Sequence, residues 1–163
     1  NAALVHKTKF VGTESIVAMA EMETEVNFMA PIRLINGLYP LLELNSNGAI
    51  VNITTGLVYA PRADYTFYNA TKAALHSFTQ VLRKQTEQSE TKIIEVLFPA
   101  VDTPWHEGNP PKIAISKEKA VSAMLVGLQK QKPEIRIAGA KLLYLISRLA
   151  PNFAFNKVNS LEH

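Results

Sequence analysis

The sequence contains no cysteine. Disulfides, thiolate zinc sites, iron–sulfur clusters and a cysteine nucleophile are thereby excluded. Charge of neither sign dominates: 17 Lys and Arg stand against 14 Asp and Glu, a formal net charge of +3. The basic residues are scattered, which argues against nucleic acid or an anionic membrane as partner. No apolar run approaches the ~20 residues that span a bilayer, and no signal peptide is visible. Internal repeats, low-complexity tracts and Pro/Gly/Ser linkers are lacking too. The expectation is a soluble, cytoplasmic protein of a reducing compartment. With 163 residues, 47% of them apolar and 19% charged, the chain suits one domain with a core of its own.

Both ends look cut. The chain opens Asn1-Ala2-Ala3 rather than with Met, and its last residues, Leu161-Glu162-His163, resemble the stump of a purification tag. Residues 1–160 are therefore taken as the domain and 161–163 are set aside.

Along the chain, Thr13-Glu14-Ser15 offers caps for a helical stretch through Leu44, which Pro31 should kink or divide. Asn45-Ser46-Asn47-Gly48 is a turn cluster, and Ala49–Ile53 is short, apolar and β-branched, as a buried parallel strand should be. Gly56 to Tyr65 reads as loop. The stretch from Phe67 to about Gln88, free of Gly and Pro, predicts a helix. Ile93–Phe98 is a second strand, stopped by Pro99. Asp102 to Ala114, rich in proline, is a long loop of the kind that carries function. Ser116 caps a helix to about Gln131, Ile135–Ala138 is a third strand, and Lys141–Leu149 is a helix ended at Pro151. Strands alternating with helices imply an α/β fold whose parallel sheet is covered on both faces.

Tyr68 and Lys72 stand four apart near the start of a helix and so share one face. An ammonium beside a phenol favours phenolate and should draw the tyrosine below its ordinary value of about 10. By itself, such a pair more often marks a solvated helix face. Thirteen residues before Tyr68, at the carboxyl end of a strand, stands Thr55. Ligand chemistry in open parallel sheets gathers at those strand ends. The other reading of Thr54-Thr55 is a hydroxyl pair that satisfies local backbone. Asn27 precedes Pro31 by four, so its carbonyl would lose the usual helical donor and be free for a water, unless this is only a tolerated kink with a surface Asn.

The segments Gly48-Ala49-Ile50-Val51-Asn52-Ile53-Thr54-Thr55 and Tyr68-Asn69-Ala70-Thr71-Lys72-Ala73-Ala74 resemble the short-chain dehydrogenase/reductase superfamily, over nearly the whole chain. Asn1-Ala2-Ala3 looks like the end of the family's Asn-Asn-Ala-Gly motif, with Ala3 for Gly. Val26-Asn27 matches the segment of its catalytic Asn, and Pro99-Ala100-Val101-Asp102-Thr103 its Pro-Gly stretch. Within the family the wording is closest to bacterial oxidoreductases of the DltE type. The resemblance implies a Rossmann-type doubly wound sheet, of which this chain would hold strands five to seven. It implies hydride transfer between NAD or NADP and a small-molecule carbonyl or alcohol. Tyr68 would be the general acid or base, Lys72 would lower its pKa and hold the nicotinamide ribose, Thr55 would replace the usual Ser, and Asn27 would anchor a relay water. Asn1, Ala2, Pro99, Val101 and Thr103 would contact the cofactor with Tyr68 and Lys72.

Thr55 adds a methyl that crowds the site, and Ala3 and Ala100 suit only a backbone with φ below zero. Leu57, Val58, Tyr59 and Trp105 are candidates for an apolar substrate pocket, although Trp105 would serve equally as a cap on the core. His76 and His106 lack partners at metal-ligand spacing, so no metal site is expected. Two other readings are a binding or regulatory protein with this fold and little turnover, and an inactive fragment lacking the dinucleotide-binding half. A homodimer or homotetramer is expected, packed through helices at 27–42 and 67–88. The edge of the strand at Ala49–Ile53 should lie open unless preceding residues or a partner cover it.

Overall fold

The computed structural model describes residues 2–161. Asn1, expected at a cofactor, and Glu162 and His163 of the tag-like end lie outside them. The first long rod is helix α1 (Ile16–Thr24), a π-helical turn (Glu25–Met29) and helix α2 (Ala30–Glu43). Ser15 occupies the N-cap of α1 without a side-chain capping bond. Division was expected at Pro31, and it falls just before it, where the Ala30 N–H reaches back five residues to the Glu25 carbonyl. A proline ring crowds the carbonyl four residues earlier and offers it no donor, and widening the preceding turn relieves both.

Strand β1 (Ala49–Thr55) runs two residues beyond the expected Ile53 and passes through a 3₁₀ turn (Gly56–Val58) toward helix α3 (Thr66–Gln85). Strand β2 (Lys92–Phe98) follows, then the two-residue strands β3 (Val101–Asp102) and β4 (Ile115–Ser116), which pair in parallel across the proline-rich loop. Helix α4 (Lys117–Gln129) starts where the Ser116 hydroxyl accepts the Lys119 N–H, as its cap signal predicts. Strand β5 (Glu134–Arg136) and helix α5 (Gly139–Leu149) come next. Helix α6 (Pro151–Asn159) was not expected. Pro151 ends α5 and also opens α6, because the first helical turn needs no N–H from that position.

The sheet is parallel in the order β1-β2-β5. Ile53 lies beside Val96 and Val96 beside Ile135, while Asn52 lies beside Glu95 and Glu95 beside Glu134. Side chains alternate across a strand, so these rows face opposite ways. The apolar row, with Ile94 and Ile137, packs on Ala123, Met124 and Leu128 of α4. Gly127 of α4 lies so close to this row that a Cβ there would meet Ile135 side-chain atoms at 2.6–2.8 Å. The polar row faces α3, where the Asn52 amide donates to Thr79 Oγ1 at 2.8 Å. Helices α5 and α6 form a second cluster with Ala60, Ala154 and Val158 at its centre. Among the described residues no helix is long and apolar enough to cross a membrane.

Candidate active site

Tyr68 and Lys72 project from the first turns of α3 toward the carboxyl end of β1. The Lys72 ammonium donates to the Ile53 carbonyl at 2.9 Å and lies 5.9 Å from the centre of the Tyr68 ring. Burial lowers Lys72 from its ordinary value to about 8. Burial also dominates at Tyr68 and pushes it up to about 12. Hydrogen bonding from Thr55 opposes that rise, while Tyr65 and Glu23 add to it. The expected depression of Tyr68 by Lys72 is therefore not what the structure shows. Loss of water outweighs the ammonium, which is turned to a strand carbonyl. At neutral pH the site holds a protonated phenol beside a largely protonated amine.

Thr55 is buried at the end of β1, and its hydroxyl also accepts the Leu57 N–H at 3.3 Å. Asn27 sits in the π-helical turn, almost fully buried. Its side chain treats Leu4 as a strand neighbour would: Oδ1 accepts the Leu4 N–H at 2.8 Å and Nδ2 donates to the Leu4 carbonyl at 2.7 Å. Nδ2 also reaches Thr71 Oγ1 at 3.2 Å, and that hydroxyl donates to the Tyr68 carbonyl at 3.0 Å. Asn27 is thus tied to the Tyr68 turn through one side chain.

Sequence reasoning missed Glu23, one helical turn before Asn27. It has no exposed surface. Its Oε1 lies 2.8 Å from both the backbone N and the Nδ1 of His6, and its Oε2 has no partner among the described residues. A polar residue four positions before Asn27, on the same face, was the available signal. Tyr65 was missed as well. Its buried ring meets Tyr68 edge-on at 6.3 Å and Trp105 at 5.8 Å, and its backbone bridges to Thr8.

The remaining candidates separate. Pro99, Val101 and Thr103 follow the carboxyl end of β2, where the Ile115 N–H bonds the Ala100 carbonyl and the His106 N–H bonds the Thr103 carbonyl. Neither Ala3 nor Ala100 has a positive φ, so alanine is unstrained at both. Ala2 is exposed in the opening segment. Trp105, 50% exposed, stands over Tyr65. Leu57 instead packs on the α5–α6 cluster, and the Tyr59 hydroxyl accepts from Arg136 Nε at 2.9 Å. Val58 is half-buried between them. A cavity of about 640 Å³ runs along residues 5–9 and 11–13 and Met19, and neither Tyr68, Lys72 nor Thr55 lines it.

The short chain dehydrogenase family profile matches residues 1–113. An uncharacterized oxidoreductase of Bacillus subtilis, DltE, is 36% identical over 157 residues, which cover 93% of this chain and 62% of that protein. A fatty acyl-CoA reductase of Acinetobacter baylyi is 27% identical over 81% of this chain and 46% of its own length. Among solved structures, a short chain dehydrogenase from Burkholderia cenocepacia in complex with NADP matches with a TM-score of 0.85 at 24% identity. That match covers 97% of this chain and 66% of the other. One from Sphingobium yanoikuyae in complex with NADPH matches with a TM-score of 0.75 at 23% identity, over 100% and 65%. These two likenesses show the shared fold, and the chain spans less than two thirds of the length of the relatives named here. On the family profile and the DltE similarity together, this chain belongs to the short-chain dehydrogenase family, among relatives of the DltE type.

Proposed function

We propose that this chain supplies the acid–base end of an NAD(P)-dependent oxidoreductase acting on a carbonyl or alcohol. One observation carries the reading: a protonated phenol, a threonine hydroxyl and a buried ammonium converge at the carboxyl end of β1. In the direction of reduction, the Tyr68 hydroxyl gives its proton to the substrate oxygen, and Thr55 holds that same oxygen by a hydrogen bond. Lys72 suits a nicotinamide ribose. Its ammonium has three donors, the Ile53 carbonyl takes one, and a diol beside the phenol could use the others. The backbone of Pro99–Thr103 borders the same strand ends. When bound, the nicotinamide supplies the hydride, and the residues here position the substrate and manage the proton. Asn27 keeps its relay role in this reading, its backbone carbonyl anchoring the relay water while its side chain holds the π-helical turn against Leu4.

On the substrate side we assign Trp105 and, with it, Tyr65. Leu57, Val58 and Tyr59 would serve only as the floor behind Thr55. A homodimer through α2 and α3, and a cytoplasmic location, belong to the same proposal. A second reading, a cofactor-binding protein with little turnover, draws on Tyr68, whose value near 12 makes phenolate hard to reach.

Oxidation of NADH and NADPH against a panel of carbonyl compounds separates the two. Turnover that falls at least 100-fold in Tyr68→Phe is the expected outcome. Turnover indifferent to that substitution would overturn the mechanism, and none in the unaltered chain would favour the second reading.

A further inference from the structure

Beneath the site lies a second constellation of ionisable groups. Glu95 of β2 has no exposed surface, yet it is a carboxylate in the middle of the sheet. Three contacts account for it. His76 Nδ1 lies 2.9 Å from each of its oxygens, and the Thr54 hydroxyl donates to Oε1 at 2.5 Å. The other nitrogen of His76 faces the Gln80 amide at 3.1 Å, and its ring meets Tyr59 edge-on at 5.7 Å.

The placement of these contacts is informative. His76 is one helical turn beyond Lys72 on the same face of α3, and Thr54 is the residue after Ile53 on β1. The Lys72–Ile53 bond and the His76–Glu95–Thr54 bridge therefore join the same two turns of helix to the same step of strand. Asn52, bonded to Thr79, fastens the step before. Replacing a buried, hydrogen-bonded polar pair by well-packed apolar residues is often neutral or stabilising, so stability alone gives little reason for one here. What the pair does supply is direction. A carboxylate with fixed partners holds the Thr54 hydroxyl, and with it the adjoining peptide, in one orientation.

We propose that Glu95 and His76 are positioning residues for Lys72, acting through Thr54 to hold the Ile53 carbonyl where the ammonium reaches it. This rests on Lys72 being a working member of the site, as argued above. Among the described residues the pair makes no hydrogen bond to Tyr68, and it meets the floor behind Thr55 only where His76 faces Tyr59.

Thr54→Val removes the hydroxyl at nearly constant shape, and Thr54→Ser keeps it. Glu95→Leu removes the carboxylate itself. The Lys72 titration is read by NMR of ¹³C-labelled lysine, with Lys72→Arg to assign the signal. It needs no cofactor and no turnover. The unaltered chain and Thr54→Ser should titrate alike, near 8. In Thr54→Val the midpoint moves by half a unit or more. It moves upward if the released ammonium reaches water, and downward if it stays buried without its acceptor. A midpoint unchanged in Thr54→Val, with the fold verified by circular dichroism, overturns the proposal, and Thr54→Val decides alone if Glu95→Leu does not fold. Where carbonyl reduction is measurable, kcat should fall about tenfold in Thr54→Val with KM little changed. Absence of reduction in the unaltered chain would overturn the role proposed for Lys72 in turnover and leave its positioning to the titration.

Discussion

At the scale of single residues, the site is governed by desolvation more than by charge pairing. Lys72 gives this a measurable consequence. In the folded chain it releases its proton near 8, and in the unfolded chain near its ordinary 10.5. Below 8 both states hold the proton, and the folded state bears the full cost of a buried charge. As pH rises from 8 toward 10.5 only the unfolded state remains charged, and the cost is relieved. From about pH 7 to 9.5 Lys72 should therefore add about 2 kcal/mol to stability. Tyr68 works in the opposite sense and higher up, since its folded value near 12 lies above the ordinary 10 and weakens the fold only above pH 10. Urea denaturation at both pH values should show the rise in the unaltered chain and not in Lys72→Met. An equal rise in both would assign it elsewhere.

At the scale of elements, local signals located α3, β1, β2 and α4, and tertiary contacts decided what local signals could not. The places of Tyr68, Lys72, Thr55 and Asn27 in the fold were legible because each lies at a fixed offset from a strand end, a helix start or a proline. His76 and Glu95 are 19 residues apart and meet only once α3 lies on the sheet, so nothing in their neighbourhood announces the pair. Glu23 and His6 are hidden in the same way. The π-helical turn is a shift of hydrogen bonds rather than of composition, and α6 is concealed behind a proline that reads as a stop. The exposed face of α2 carries Leu34, Leu38 and Leu41, and α3 adds Val81. Each is about half exposed or more, and exposed apolar side chains of this kind are candidates for an interface. The proposed two-helix dimer would cover them. Light scattering at micromolar concentration should give twice the chain mass, and Leu38→Glu with Leu41→Glu should return it to one. A monomer in the unaltered chain would remove the dimer from the proposal.

At the scale of the whole molecule, β2 is held between two neighbours, whereas β1 has a partner along one side only among the described residues. That strand carries Thr55, Thr54 and the Ile53 carbonyl, so the groups proposed to work in the site stand on an edge strand of the sheet, as β5 also is. Val51, on the same strand, is 38% exposed. A strand bound along one side can detach without the rest of the molecule unfolding. Hydrogen exchange should reveal a gradient: β2 amides exchange only through global unfolding, and β1 amides through a cheaper local opening. Uniform protection across both strands would contradict this. Such a gradient would give the proposed site its own lifetime, shorter than that of the fold. A segment or partner that paired along the other side of β1 would slow that opening.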